Sequence, residues 1–349
     1  MKGLTFHGSK ETRHETVEDP RVIEPGDAIV KVRLTAICGS DMHVYHGREA
    51  GMDTGTVMGH EFTGEVVEVG PQVGRFEIGD AVLSPFTTSC GDCFYCERGL
   101  TARCVKGQLF GYVENGSGLQ GGQAEYVRVP LADSTLAAVP ADVSPEEALL
   151  LGDVFSTGYF CAQQAGVEPG STCAILGCGP VGLMAVVGAR ELGAERIFAL
   201  DSIPERLELA GTFGATPIDF KSLDPVAVVH EATRGRGADA ALDAVGSSAS
   251  TRAAYDLVRP GATISVVGVH YDEQFPFSPP DAYDKNLTFT VGRCPARRVM
   301  RELIPVVQAK KYDLASIISH RLPLADGSEA YRLFDEKRDR CTKVVLTTD

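Results

Sequence analysis

The stretch 171–201, STCAILGCGPVGLMAVVGARELGAERIFALD, decides how the chain is read. A short apolar, β-leaning run, Thr172 to Leu176, meets Gly177-Cys178-Gly179-Pro180-Val181-Gly182, and an Ala/Val/Leu/Met-rich pattern of helical period continues to about Leu192. A second strand then ends in an acid, Asp201. In such a turn the first glycine makes the tight bend and the second lets a pyrophosphate approach the backbone. The third lets helix and strand pack closely, with the helix N-terminus facing the phosphates. Gly-x-Gly-x-x-Gly alone also occurs as an ordinary turn of α/β domains. Here it lies between a strand and a helix, and Asp201 follows about 20 residues after the glycines, where a carboxylate can hold a ribose 2′-hydroxyl. Gly177, Gly179, Pro180, Val181, Gly182 and Asp201 are therefore the candidate dinucleotide contacts.

Downstream, apolar runs at 197–200, 238–244, 263–268 and 287–291 alternate with helical stretches, which predicts a parallel, doubly wound sheet. Upstream, from Thr5 to Asp133, the texture is different: short runs at 28–36, 63–69 and 124–129 are separated by Pro and Gly, as in a mainly β domain of barrel-like type. Residues 136–140 read as a last short strand, and Ser144-Pro145-Glu146-Glu147 opens a helix with a capping box and Pro at its first position. Residues 297–310 read as a helix and 343–346 as a strand that returns to the first domain. The expected organisation is a discontinuous domain, 1–155 with 296–349, around a dinucleotide domain, 156–295.

Two domains suit a chain of 349 residues, and 44% hydrophobic with 23% charged residues is ordinary globular composition. A net charge of −14 without a basic stripe argues against nucleic acid as a partner. No apolar run reaches membrane-span length and residues 1–15 lack an apolar signal core, so the expected location is the cytoplasm, away from membranes. Ten cysteines in such a chain point to metal or catalytic use rather than to a disulfide framework.

Four of those cysteines form Cys90-x2-Cys93-x2-Cys96-x7-Cys104. Thiolates this close can wrap tetrahedrally around one ion and leave no open position, which describes a structural Zn²⁺ site. An iron–sulfur cluster is the rival reading, since Cys-x2-Cys-x2-Cys resembles ferredoxin spacing, although no Pro follows the fourth Cys. Chemistry must then lie elsewhere. Cys38-Gly-Ser40-Asp41-Met-His43 and Gly59-His60-Glu61 hold ligand types suited to zinc, and Asp153 stands just before the dinucleotide domain. Taken singly, Cys38 also fits a small buried hydrophobe, His60 a core histidine and Asp153 a helix cap. Cys161, Cys173, Cys178, Cys294 and Cys341 are given no ligand role.

With these motifs assembled, the chain resembles the zinc-dependent medium-chain alcohol dehydrogenases over essentially its whole length. It is most similar to the bacterial branch with threonine, polyol, secondary-alcohol and glutathione-independent formaldehyde dehydrogenases. The resemblance implies a GroES-like barrel beside a Rossmann domain. It also implies two Zn²⁺ per chain: a catalytic one on Cys38, His60 and Asp153, with Glu61 as ligand or neighbour, and a structural one on Cys90, Cys93, Cys96 and Cys104. Ser40 and His43 match the family's proton relay, and Asp41 an acid that orients the liganding histidine. Thr157, Val269 and Lys343 fall where the family contacts nicotinamide or pyrophosphate. The third ligand is Asp153 rather than Cys, so the horse-liver type of site is not implied.

The expected activity is reversible hydride transfer between an alcohol and its aldehyde or ketone, with the hydroxyl proton leaving through Ser40 and His43. NAD is favoured over NADP because the Asp201 carboxylate would repel a 2′-phosphate, Arg206 being the nearest base. A glutathione-independent formaldehyde or aldehyde dehydrogenase (dismutase) and a polyol or threonine dehydrogenase are the alternatives. The former rests on Gly121-Gly-Gln-Ala-Glu-Tyr126 and Ser156-Thr-Gly-Tyr159. The expected partners are a small alcohol or aldehyde and further copies of the chain, as a homotetramer or a dimer, because an apolar edge strand at 287–291 invites pairing.

Overall fold

The computed structural model describes residues 1–348. The chain divides into two compact units, Met1–Asp153 with Pro295–Asp349, and Val154–Cys294.

The first unit is mainly β. Its largest sheet runs in the order Ile318–Pro323, Lys343–Thr347, Ala28–Ala36, Glu61–Val69, Ala81–Leu83, Ala137–Ala138, and Tyr126–Val129 adds to Ala28–Ala36. Ala28–Ala36 is the hub, antiparallel to three neighbours, and its Ala28, Val30 and Val32 are completely buried. They join Phe62, Val66, Val82, Phe110 and Val127 in one core, where Phe62 meets Phe110 edge to face at 5.0 Å. A second core gathers Leu4, Ile37, Met58, Tyr331, Val344 and Leu346. The returning segment 343–347 thus supplies both a strand and core side chains to this unit.

The strand expected from residue 63 begins at Glu61. A charged residue masks its start, yet Glu61 is wholly buried because Lys343 Nζ donates to its Oε1 at 2.5 Å. The helix Pro145–Gly152 starts as its sequence dictates. Ser144 Oγ accepts from Glu147 N, and Ser144 N donates to Glu147 Oε2. Its apolar residues Ala148 to Leu151 are buried, and it stops at Asp153, whose φ of −143° and ψ of −76° are not helical.

The second unit holds six parallel strands in the order Thr216–Asp219, Arg196–Asp201, Thr172–Leu176, Ala238–Asp243, Val258–Val266, Thr288–Val291. Numbered within the unit this is 3-2-1-4-5-6, the doubly wound arrangement, with its switch point between Thr172–Leu176 and Ala238–Asp243. Thr172–Leu176 is buried at every position, as a central parallel strand must be. The last strand opens at Thr288, one residue after the expected start, and reads Thr-Phe-Thr-Val, so the edge is less apolar than the sequence run suggests.

Candidate metal and coenzyme sites

The cysteine lobe is a loop with one short helical turn, Phe94–Glu97, and little buried side chain of its own. The sulfurs of Cys90, Cys93, Cys96 and Cys104 all lie within 4.8 Å of one another. Cys90 Sγ is 3.4 Å from Cys104 Sγ and 4.0 Å from Cys96 Sγ, bracketing the ~3.8 Å edge of a tetrahedron with ~2.3 Å zinc–sulfur bonds. All four are free thiols. The amides of Val105 and Cys96 pull the Cys93 thiol down to about 6, while burial and Asp92 push Cys90 up to about 12. Four thiols of this kind cannot all ionise together without a cation among them, so the donor set fits zinc.

A second donor set lies deep in the same unit. Cys38, His60, Glu61 and Asp153 are all buried, and one ligand atom from each lies within 4.8 Å of the others. Asp153 Oδ2 is 3.3 Å from Cys38 Sγ and 3.3 Å from His60 Nε2. Asp41 anchors two of the donors from behind: its Oδ1 is 3.2 Å from His60 Nδ1, and its Oδ2 accepts from Cys38 N at 2.9 Å. His60 Nε2 therefore faces the donor set, with Ser40 Oγ at 3.3 Å. Burial, then the charges of Asp153 and Glu61, push the Cys38 thiol up to about 11. Burial opposes a charged imidazole, but Asp41 and Cys38 outweigh it and hold His60 well above the usual histidine range. Burial also raises Glu61, against the pull of Lys343. Glu61 Oε2 is buried with no hydrogen-bond partner. A buried thiol, an imidazole and two buried carboxylates crowded this closely, with one Glu61 oxygen unpaired, are donors a divalent ion fits.

In the second unit the glycine turn has the form its sequence implies. Gly177 has φ of +83°, open to glycine, and a Cβ on Gly182 would stand 1.7 Å from the Gly177 carbonyl, so nothing larger fits there. Gly179 precedes Pro180 at the start of the helix Pro180–Glu191, and a Cβ on Gly179 would meet only Arg206 Nη1, at 3.8 Å. That face of the turn is open to a phosphate-bearing ligand. Asp201 Oδ2 accepts from Cys178 N at 2.8 Å, and its Oδ1 accepts from Ser202 N and Ile203 N. Arg206 Nη1 lies 3.9 Å from Asp201 Oδ2, which puts the base over the turn rather than out in solvent. The backbone of Gly268 and Val269 lies against Gly246, and the Val245 side chain covers Gly177. Thr157 is buried in the helix Val154–Gln164, next to Gly158, which lies against the Val181 carbonyl.

Lys343, expected among the coenzyme contacts, is wholly buried beside the first unit's donor set, its ammonium donating to Glu61 Oε1 and, at 3.1 Å, to Ile37 O. Two features escaped the sequence reading. Asp243, fully buried, accepts from Val245 N, Gly246 N, Ser250 Oγ and Thr251 Oγ1 and so pins the loop at the switch point. Tyr331 donates to Gln123, which in turn donates to the Ala36 carbonyl. An acid at a strand end was the available signal for the first. Nothing in spacing links residues 123 and 331. Among the described residues no further group of metal donors includes Cys161, Cys173, Cys178, Cys294 or Cys341, and no helix is long and apolar enough to cross a membrane.

Fold and donor sets together define a two-domain, zinc-dependent dehydrogenase. Residues 24–141 match the alcohol dehydrogenase GroES-like domain, and residues 180–309 the zinc-binding dehydrogenase domain. Zinc-type alcohol dehydrogenase B of Aspergillus flavus is 45% identical over 345 residues, 96% of this chain and 79% of that protein. Formaldehyde dismutase of Pseudomonas putida is 33% identical over 92% of this chain and 88% of its own. The alcohol dehydrogenase of Thermus sp. ATN1 superposes over 100% of both chains with a TM-score of 0.95 at 39% identity. The chain belongs to the zinc-dependent medium-chain alcohol dehydrogenase family. It is an oxidoreductase of the alcohol dehydrogenase type, acting on small molecules in a family that uses zinc and NAD(P).

Proposed function

We propose that this enzyme is NAD-linked and that Cys38, His60 and Asp153, with Glu61 beside them, hold the zinc at which a small alcohol reacts. The observation that carries the reading is the convergence of these four buried donors within 4.8 Å of one another, with a buried Glu61 oxygen left without a hydrogen bond. A Cys38 thiolate, a neutral His60 and an Asp153 carboxylate together match a dipositive ion in charge. Bound there, zinc would supply a Lewis acid toward the substrate hydroxyl, and the nicotinamide would take the hydride. The chain's own residues handle orientation and the proton. Asp41 accepts from His60 Nδ1–H, which fixes the tautomer and leaves the Nε2 lone pair toward the other donors. Ser40 stands 3.3 Å from that nitrogen and takes the substrate's hydroxyl proton. His43 follows one turn later in the helix Asp41–Tyr45; burial, then Arg48 and His46, keep it below the usual histidine range, so it is neutral and ready to receive the proton at pH 7.

In the same reading Cys90, Cys93, Cys96 and Cys104 hold a second, structural zinc. Gly177, Gly179, Pro180, Val181, Gly182, Asp201, Arg206, Thr157 and Val269 form the coenzyme site. The edge Thr288–Val291 pairs two copies about a two-fold axis, and the homotetramer, favoured over the dimer by the family likeness alone, is built from such pairs. A panel of primary alcohols, secondary alcohols and diols, followed by reduced-nicotinamide absorbance, tests the activity; turnover of none of them with NAD would refute the reading. The likeness to the Pseudomonas formaldehyde dismutase supports one other reading, dismutation of formaldehyde. Equal yields of methanol and formate, without net nicotinamide reduction, would favour it.

A further inference from the structure

Beside the cysteine lobe lies a cavity of about 410 Å³, lined by Arg75, Arg297, Arg298, Arg301, Asp133 and Thr101 together with Cys90 and Cys96. Arg297 is only 5% exposed, and apart from Nε, which donates to the Ser134 carbonyl at 3.0 Å, its guanidinium is short of partners: Nη1 is buried and unbonded. Thr101 Oγ1, in the same wall, is likewise buried without a partner. The carboxylate that could answer these arginines does not: Asp133 accepts from Gly74 N and Arg75 N, one to each oxygen. Arg298 is paired with Glu302 at 2.6 Å, and Arg301 has no ion pair among the described residues. The wall is also the start of the 13-residue helix Ala296–Gln308, which has no acid in its first turn and no side-chain cap. Its dipole adds positive potential where Arg297, Arg298 and Arg301 gather.

We propose that this cavity is a binding site for a phosphate group, inorganic or carried on a small phosphomonoester, held by Arg297, Arg301 and Thr101. A buried cation and a buried hydroxyl without partners are costly unless an acceptor-only ligand meets both, and a tetrahedral oxyanion offers several acceptor oxygens at once. Burial, with Arg301 and Arg75 nearby, lowers Arg297 only to about 10, so its charge persists at neutral pH. The volume lies in the range of small-ligand sites and leaves room for more than a bare phosphate. The rival account is that the arginines merely offset the charge of a four-thiolate zinc centre. Arg297 Nη1, however, has no bond to sulfur or to anything else.

The test uses the zinc-loaded enzyme and compares its melting temperature in inorganic phosphate, in glycerol 3-phosphate and in chloride at matched ionic strength. Saturating phosphate or the ester should raise the melting temperature by about 2–4 °C, and chloride should not. Stronger protection by the ester identifies a phosphorylated metabolite as the natural ligand, and equal protection identifies phosphate itself. Arg301→Met, on the exposed rim, should abolish the shift while leaving zinc content and alcohol oxidation unchanged. Arg297→Met should abolish it too. The proposal fails if neither anion shifts the wild type, if Arg301→Met responds like the wild type, or if Arg297→Met loses zinc from a wild type that ignores phosphate.

Discussion

Asp153 holds two positions at once, the end of the helix Pro145–Gly152 and the hinge of the donor set, with Cys38 Sγ and His60 Nε2 each 3.3 Å from its Oδ2. Asp153→Asn keeps the shape and removes the charge. We expect the fold to survive and kcat/KM to fall beyond the ~100-fold that marks loss of an outer-shell partner. Asp41→Asn, acting behind the donors through His60 and the Cys38 amide, should fall within about 10–100-fold, and circular dichroism of both variants checks that the fold is unchanged. Lys343 and Glu61 form a fully buried pair. Lys343→Met strands a carboxylate and should cost about 3–5 kcal/mol in denaturant unfolding, whereas the double change Glu61→Gln with Lys343→Met should cost less than that single change. Asp201→Gly should weaken NAD and improve NADP, read as the ratio of their kcat/KM values, because it removes a hydroxyl acceptor and a repulsive charge while Arg206 remains 3.9 Å from that carboxylate's place. NADP preference in the unmodified enzyme would contradict the role given to Asp201.

At the scale of elements, the cysteine lobe contrasts with the helix Pro145–Gly152. The helix carries its own start signal, and Ser144→Ala should cost about 1 kcal/mol by removing one capping bond of the box. The lobe's helical turn, Phe94–Glu97, buries none of its residues, so metal must supply its order. Cys93→Ser should release one zinc and expose the lobe to proteolysis, with alcohol oxidation declining only as stability does. Elements of this kind were legible because their signals are local: Thr172–Leu176 with its glycine turn, the Ser144 box and the Cys90–Cys104 spacing are each read within a few residues. The start of Glu61–Val69 was not, since a charged residue gives no strand signal until Lys343, 282 residues away, is seen to pair with it. The same distance hid the buried place of Lys343, and Tyr331 with Gln123 was unreadable for the same reason.

For the whole molecule, the parallel sheet leaves Thr288–Val291 paired on one side only, with Val291 exposed beside it and Phe275 packed on Phe289. An unprotected edge of this kind is covered by a two-fold partner in the assembly proposed above. Light scattering should give a multiple of the 37.2 kDa chain mass, and Val291→Lys should shift it downward. A wild-type mass equal to one chain would refute the pairing. In the proposed reading two donor sets hold two zinc ions with separate duties. Metal analysis alongside activity, on the wild type and Asp153→Asn, separates the two sites: we expect two zinc per active wild-type chain, and a variant that keeps the lobe's zinc, binds the other weakly and has lost its activity. A fully active wild type with one zinc or with iron, or an Asp153→Asn variant with wild-type kcat/KM, would contradict it.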